Sequence, residues 1–227
     1  MNQFNIDVHI GVHPLYDRSE SLDKLLSKLK DEPVNVHLVP GVLGCIGAMR
    51  FAGFSAGTAP LQSYIDDDDD FPSGIFSKME RLFELEPEID AACTSENGEH
   101  SHPFKYYDRR HVFRIHHLAM FRRAAIAPHI EKIKDFADGS EHGIWMQLLL
   151  EGARVRHLPV NGYTWRIHAQ DSKSLKLVKD PLYFQWYKDL MAMAQSENFV
   201  SHLDGGNRHI NRGDIIFAET LHKDTLR

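Results

Sequence analysis

Cysteine is scarce: Cys45 and Cys93 are the only two in 227 residues. The fold therefore cannot rest on a disulfide framework, and neither cysteine sits in a paired metal-ligand spacing. Both read as small buried residues. Long apolar runs are missing as well, since nothing approaches the roughly 18 to 20 residues that cross a bilayer. The start, Met1-Asn2-Gln3-Phe4-Asn5, lacks the basic and apolar regions of a signal peptide, so the expected location is the cytoplasm. There is no excess of positive charge. The formal charge is -6 with histidines neutral, a field that repels polyanions and leaves room only for a local basic groove. Internal repeats, low-complexity tracts and a long interdomain linker are also absent. What is present is a globular composition, 42% hydrophobic and 26% charged, in a chain long enough to bury a core. The 15 histidines are scattered without a zinc-type repeat and read as structural or surface residues.

Apolar periodicity predicts strands alternating with helices, the order of a mostly parallel sheet covered by helices, and hence an α/β class. Residues 4–12 alternate as a first strand and end in the turn His13-Pro14-Leu15-Tyr16-Asp17-Arg18. A helix over 19–30 places Leu22, Leu25, Leu26 and Leu29 on one face. Strands follow at 34–39 and 61–65, with a helix at 46–55 between them and another at 73–84. Residues 89–94 read as a strand, 95–103 as a loop, and 104–107 with 112–116 as paired strands. A helix over 141–151 closes at Gly152, two strands follow at 154–158 and 163–167, and a last amphipathic helix covers 181–195. The tail after His202 reads as loop.

Asp66-Asp67-Asp68-Asp69-Asp70 follows the third strand directly. Ligands bind beyond the carboxyl ends of strands in α/β sheets, so the run stands where chemistry is expected. Neighbouring carboxylates repel more as a site dries, and a hard divalent cation such as Mg2+ or Mn2+ is their natural partner. The plain alternative is a solvated acidic loop.

Four blocks around this run carry a resemblance. Pro14-Leu15-Tyr16-Asp17-Arg18 is similar to a strand-end P-T-Y-N-R turn, and Arg50-Phe51-Ala52-Gly53-Phe54 to an A-R-N-x-G helix. Tyr64-Ile65-Asp66-Asp67-Asp68-Asp69 matches a hydrophobic-D-x-D-D motif. Ser140-Glu141-His142-Gly143-Ile144-Trp145 and Gly162-Tyr163-Thr164-Trp165-Arg166-Ile167-His168 resemble an E-D-x-x-L-W helix and a Y-x-W-R-x-H segment. In this order and spacing they resemble the GT-A glycosyltransferases, within them the large inverting family 2 type found in bacteria and bacteriophages. The resemblance covers roughly residues 5 to 174.

It implies a single GT-A domain, with 1–95 as the nucleotide-sugar half, 96–180 as the acceptor and catalytic half, and 181–227 as a C-terminal helix and tail. It implies Glu141 as catalytic base and Asp66, Asp68 and His168 as ligands of Mn2+ or Mg2+. Pro14, Tyr16, Asp17, Arg18, Arg50, Asp66, Asp67 and Arg166 fall on the donor side, and Trp145 and Trp165 on the acceptor side. The structural alternatives are a first-turn helix acid for Glu141, core positions for both tryptophans, and an Arg50 that serves the aspartate cluster. The second strand ends in Leu38-Val39-Pro40-Gly41, without the acidic residues that hold base or ribose in the family.

The implied activity is transfer of a sugar from a nucleotide donor, a UDP-sugar first, to an acceptor hydroxyl. One acceptor hypothesis is a hydroxymethylated base of phage DNA, reached through a basic groove of Arg109, Arg110, Arg114, Arg122 and Arg123 near Glu141. Two other readings stand beside it. Nucleotidyl transfer uses the same acids, though no Gly-rich phosphate loop follows the first strand. A non-enzymatic cation-binding module would lack the spaced ligands of an EF-hand.

Overall fold

The computed structural model describes residues 4–98, 118–137 and 139–166, and within the C-terminal part 181–182, 185–186, 188–189, 200–201 and 208–209. Strands β1 (Ile6–Val12), β2 (Val34–Pro40) and β3 (Leu61–Asp66) alternate with helices α1 (Ser19–Leu29), α2 (Ile46–Ser55) and α3 (Ile75–Leu85). Then come β4 (Ala91–Gly98), β5 (Ala119–Arg122), the short α4 (Arg123–Ile126), a 3-10 turn at Ile130–Ile133, α5 (Ser140–Leu150) and β6 (Val155–Trp165). They build a six-stranded sheet in the order β2-β1-β3-β5-β4-β6, parallel except at β5, which runs antiparallel between β3 and β4. This is the α/β architecture expected.

The period of β1 explains how the sheet is covered. Ile6, Val8 and Ile10 face one side and join Leu25 and Leu29 of α1 and Phe76, Met79 and Phe83 of α3 in one apolar cluster. Asp7, His9 and Gly11 face α2, where close approach requires small residues: a Cβ on Gly53 would lie 2.3 Å from the His9 ring. A second cluster on this side joins Phe54, Tyr64 and Phe121 to Ile144, Trp145 and Leu148 of α5. Gly47 of α2 approaches the turn before α5 so closely that a Cβ there would sit 2.0 Å from the Ile133 carbonyl oxygen. Helix α2, the 3-10 turn and α5 thus form one packed layer, which carries residue 141 to the carboxyl edge of the sheet.

Three expectations are corrected. β5 was not foreseen, because a four-residue interior strand with its first three residues buried shows no alternation. β4 runs to Gly98, through residues expected to be loop. The strands expected at 154–158 and 163–167 are one strand, β6. It lies at the sheet edge, and its pairing jumps from Thr94–Leu158 to Ser95–Asn161, so Pro159 and Val160 fall in an irregularity that needs no N–H from proline.

In the C-terminal part, Pro181, Leu182, Gln185, Trp186, Lys188 and Asp189 are helical, and Val200–Ser201 pairs antiparallel with Arg208–His209, the latter pair in the tail expected as loop. The paired strands expected at 104–107 and 112–116 lie outside the described residues. Cys93 is buried, while Cys45 is half-buried with its thiol near the carbonyls of Lys134 and Phe136; neither forms a disulfide. No described helix is long and apolar enough to cross a membrane.

Candidate active site

β3 delivers its last residue, Asp66, beside Gly11 at the end of β1, and the chain then turns through the acidic run. Every carboxylate of the run has a partner, Asp67 and Asp68 sharing one. Asp66 accepts from Arg50 Nη2 at 2.5 Å. Asp67 accepts from the His13 backbone N–H at 2.6 Å and from Arg18 Nη1 at 2.9 Å, and the same Arg18 nitrogen lies 2.7 Å from Asp68. Asp69 accepts from the Tyr163 hydroxyl at 2.6 Å and the Arg166 backbone N–H at 2.8 Å. Asp70 pairs with Lys28 and bridges to Thr164 of β6 through two backbone hydrogen bonds of 2.9 and 2.8 Å. Four of the five are thus fixed by charge-assisted bonds from other elements, and Asp69 by a phenol and a backbone amide. Asp67, Asp68 and Asp69 are buried, which excludes a freely solvated acidic loop.

The Tyr163 hydroxyl also accepts from the Asp66 N–H at 3.3 Å. Burial, with Asp69 and Asp66 nearby, pushes this phenol well above its ordinary pKa and keeps it a donor. Burial works against the Arg50 cation, but Asp66 and Glu141 outweigh it and hold the guanidinium above its usual value. Behind it His9 is fully buried, stacked on Tyr64 at 5.9 Å, and burial holds it neutral, well below its ordinary pKa, with Arg50 adding to the effect.

Glu141 stands in the first turn of α5, where the helix N-terminus favours an anion. One carboxylate oxygen accepts from Arg50 Nε, and the other accepts from the Ser140 hydroxyl at 3.1 Å. Arg50 therefore touches Glu141 and Asp66 at once, and brings the base of the resembling motif to the acidic run.

The turn after β1 is shaped by His13, whose Nδ1 accepts from the N–H groups of Leu15 and Tyr16 and whose ring stacks on Tyr16 at 4.4 Å. Pro14 and Tyr16 are exposed at this edge. Asp17 accepts from the Ser19 N–H at 3.0 Å, and Ser19 holds its carboxyl below the usual range. The Arg166 side chain is part-exposed, 3.9 Å from Asp70.

Other assignments part from the site. Trp145 is 3% exposed and packs on Phe121 in the core, with ring centroids 5.0 Å apart, so it offers no face to a sugar. Arg122 donates to the Ile89 and Phe83 carbonyls, and Arg123 binds Asp7 and the Ala59 carbonyl. Asp7 precedes Gly11 by four residues, roughly 13 Å along the strand, so Arg123 is tied to the opposite end of the sheet and builds no basic groove beside Glu141. Trp165 lies in β6, its side chain outside the described residues, as are His168, Arg109, Arg110 and Arg114.

Sequence reasoning missed roles for Tyr64, Tyr163 and His13. Tyr64 had a signal: it precedes Asp66 by two on a strand, so both share a face, and Arg50 Cζ lies 4.5 Å from its ring centroid.

The donor set suits a hard divalent cation. Asp66 and Asp68 are carboxylates one residue apart at the strand end, and no soft thiol lies in the run. Among the described residues no group of three acidic, histidine or cysteine side chains gathers for a metal.

No protein-family model matches the chain, and no curated protein does. Solved structures do. The chain is similar to residues 1-349 of S. aureus TarS in complex with UDP-GlcNAc, at TM-score 0.60 and 10% identity over 85% of this chain and 67% of that one. It spans 40% of the longer TarS structure, at TM-score 0.54. It is also similar to the mannosyltransferase PcManGT from Pyrobaculum calidifontis in complex with GDP-Man and Mn2+. That match has a TM-score of 0.54 and 12% identity, over 100% of this chain and 75% of that one. With its mostly parallel, helix-flanked sheet, the chain has the GT-A glycosyltransferase fold.

Proposed function

We propose that the chain is a metal-dependent glycosyltransferase acting in the cytoplasm, moving a sugar from a nucleoside diphosphate donor to an acceptor hydroxyl. The observation that carries this is the joining of Glu141 to the acidic run at the carboxyl edge of the sheet, through Arg50. The complexes of similar structures with UDP-GlcNAc, UDP and GDP-Man support the donor class, and a UDP-sugar is the first choice. In this reading residues 1–95 serve the donor and 96–180 the acceptor, with 181–227 as the C-terminal part.

Glu141 removes the proton of the acceptor hydroxyl as its oxygen attacks the anomeric carbon. The bond from that carbon to the diphosphate oxygen breaks as the new one forms, and a single displacement of this kind inverts the anomeric centre. Asp66 and Asp68, with His168 as a further ligand, would hold Mn2+ or Mg2+, which would supply charge neutralisation for a diphosphate leaving group. Arg18, already on Asp67 and Asp68, and Arg166 stand ready for phosphate oxygens, and Arg50 serves the donor through Asp66. Pro14, Tyr16 and Asp17 line the nucleotide side, and Trp165 the acceptor side.

The acceptor reading is a hydroxyl on a bulky molecule, hydroxymethylated bases of DNA being the first to try. Incubation of UDP- and GDP-sugars with Mn2+ and hydroxymethylated DNA tests it by the product released. Nucleoside diphosphate together with glycosylated DNA supports transfer, with turnover falling as salt rises. Pyrophosphate release instead contradicts it, and a small acceptor turned over independently of salt removes the DNA acceptor.

A further inference from the structure

Arg50 comes from α2, yet its guanidinium joins two acids from different elements. Nε donates to Glu141 of α5, and Nη2 to Asp66 at the end of β3 at 2.5 Å. The side chain is 2% exposed and lies over the Tyr64 ring, which rests in turn on His9. Enclosed in this way, the cation has no room to swing to another partner, and solvent screens neither ion pair fully. Nη1 is buried without a hydrogen-bond partner in the structure, so the two carboxylates set the orientation of the fork.

We propose that Arg50 is a positioning residue that ties Glu141 to the donor-side carboxylate Asp66, so that the state of Asp66 is felt at Glu141. This rests on the reading of Glu141 as the base. A guanidinium engages two acids through two nitrogens of one rigid plane, whereas a lysine has a single nitrogen on a flexible stem and cannot hold both from one place. Whatever neutralises or engages Asp66 changes how strongly the same guanidinium holds Glu141, and the coupling is reciprocal. Occupation of the donor side is thereby registered at the base before an acceptor arrives. Ser140 holds the other oxygen of Glu141, which keeps the carboxylate aimed as the strength of its bond to Arg50 changes.

The test follows the Glu141 side-chain carboxyl carbon by NMR in protein carrying 13C at glutamate Cδ, the resonance being identified by its loss in Glu141→Gln. Asp66→Asn is expected to move this resonance in the wild-type background and to leave it in place in Arg50→Lys, with Arg50→Met as a second background should Arg50→Lys fail to fold. An equal shift in both backgrounds, or no shift on Asp66→Asn alone, overturns the proposal. A second arm measures release of UDP from UDP-GlcNAc and of GDP from GDP-mannose, with Mn2+ and water as acceptor. Arg50→Lys is expected to lower kcat at least tenfold while the donor KM changes less than threefold; an unchanged kcat overturns positioning. If the wild type releases no nucleotide while Asp66→Asn still moves Glu141 through Arg50, the tie stands and the glycosyl-transfer reading falls.

Discussion

At the scale of single residues, the site separates aiming from chemistry. Glu141 is held on both oxygens, by Arg50 and Ser140, and is 14% exposed, so the carboxylate proposed as base meets the edge of the site in one orientation. Glu141→Gln keeps the shape but cannot take a proton. Transfer is expected to fall roughly 10²- to 10⁴-fold, the usual worth of a general base, with nucleotide affinity little changed, measured by steady-state kinetics beside binding.

Behind the site, His9 is neutral because of its burial and the Arg50 cation. Its folded pKa lies below the unfolded value of 6.5, so the unfolded chain takes up a proton first as pH falls. Stability from His9 is therefore complete above that value and declines below it, by about 1.4 kcal/mol per pH unit until the folded pKa is reached. Asp7 acts in the same direction at lower pH: hydrogen bonds from His37, Ala59 and Asn35 overcome its burial and hold it below 3.8. Urea denaturation at pH 7, 6 and 5 checks this, and His9→Asn is expected to flatten the dependence.

At the scale of elements, the acidic loop is clasped by β6. Tyr163 and the Arg166 N–H hold Asp69, and Thr164 brackets Asp70. Tyr163→Phe removes a hydroxyl that serves both Asp69 and the Asp66 N–H. It is expected to destabilise the fold by about 1.5–3 kcal/mol, the cost of losing a hydrogen bond to a charged group, and to weaken nucleotide binding as the loop loosens. Denaturant melts and titration of the same variant check both effects.

The first three βα pairs were legible in the sequence because each shows its own period and its own stop: alternation over β1, the leucine stripe of α1, Asp31-Glu32-Pro33 after it. The second half was harder to read. A four-residue strand buried at its first three positions has no period, and an edge strand that absorbs Pro159 looks like two strands with a turn between them. Site legibility followed the same division. The order of the blocks pointed to Glu141 and Asp66, whereas the buried fate of Trp145 and the structural ties of Arg122 and Arg123 depend on partners 24 to 116 residues away. For Arg123 that partner is Asp7, and no local pattern announces it.

At the scale of the whole molecule, the fold brings cations of its own to four of the five aspartates, Arg50 to Asp66, Arg18 to Asp67 and Asp68, and Lys28 to Asp70, and a phenol and a backbone amide to Asp69. The repulsion that a run of carboxylates would suffer is relieved inside the protein, so the site is assembled before a ligand arrives and little ordering remains for binding to do. The net charge of -6 then matters for partners more than for the fold, since a polyanionic acceptor must be met by a local cationic surface.

The most direct measurement is calorimetric titration of UDP and GDP into the wild type and Asp68→Ala, each with and without Mn2+. The account predicts binding of one nucleotide that needs the metal and is lost in Asp68→Ala while the variant remains folded. Binding that ignores both the metal and Asp68, or no binding of either nucleotide, would contradict a nucleotide-sugar site at the acidic run.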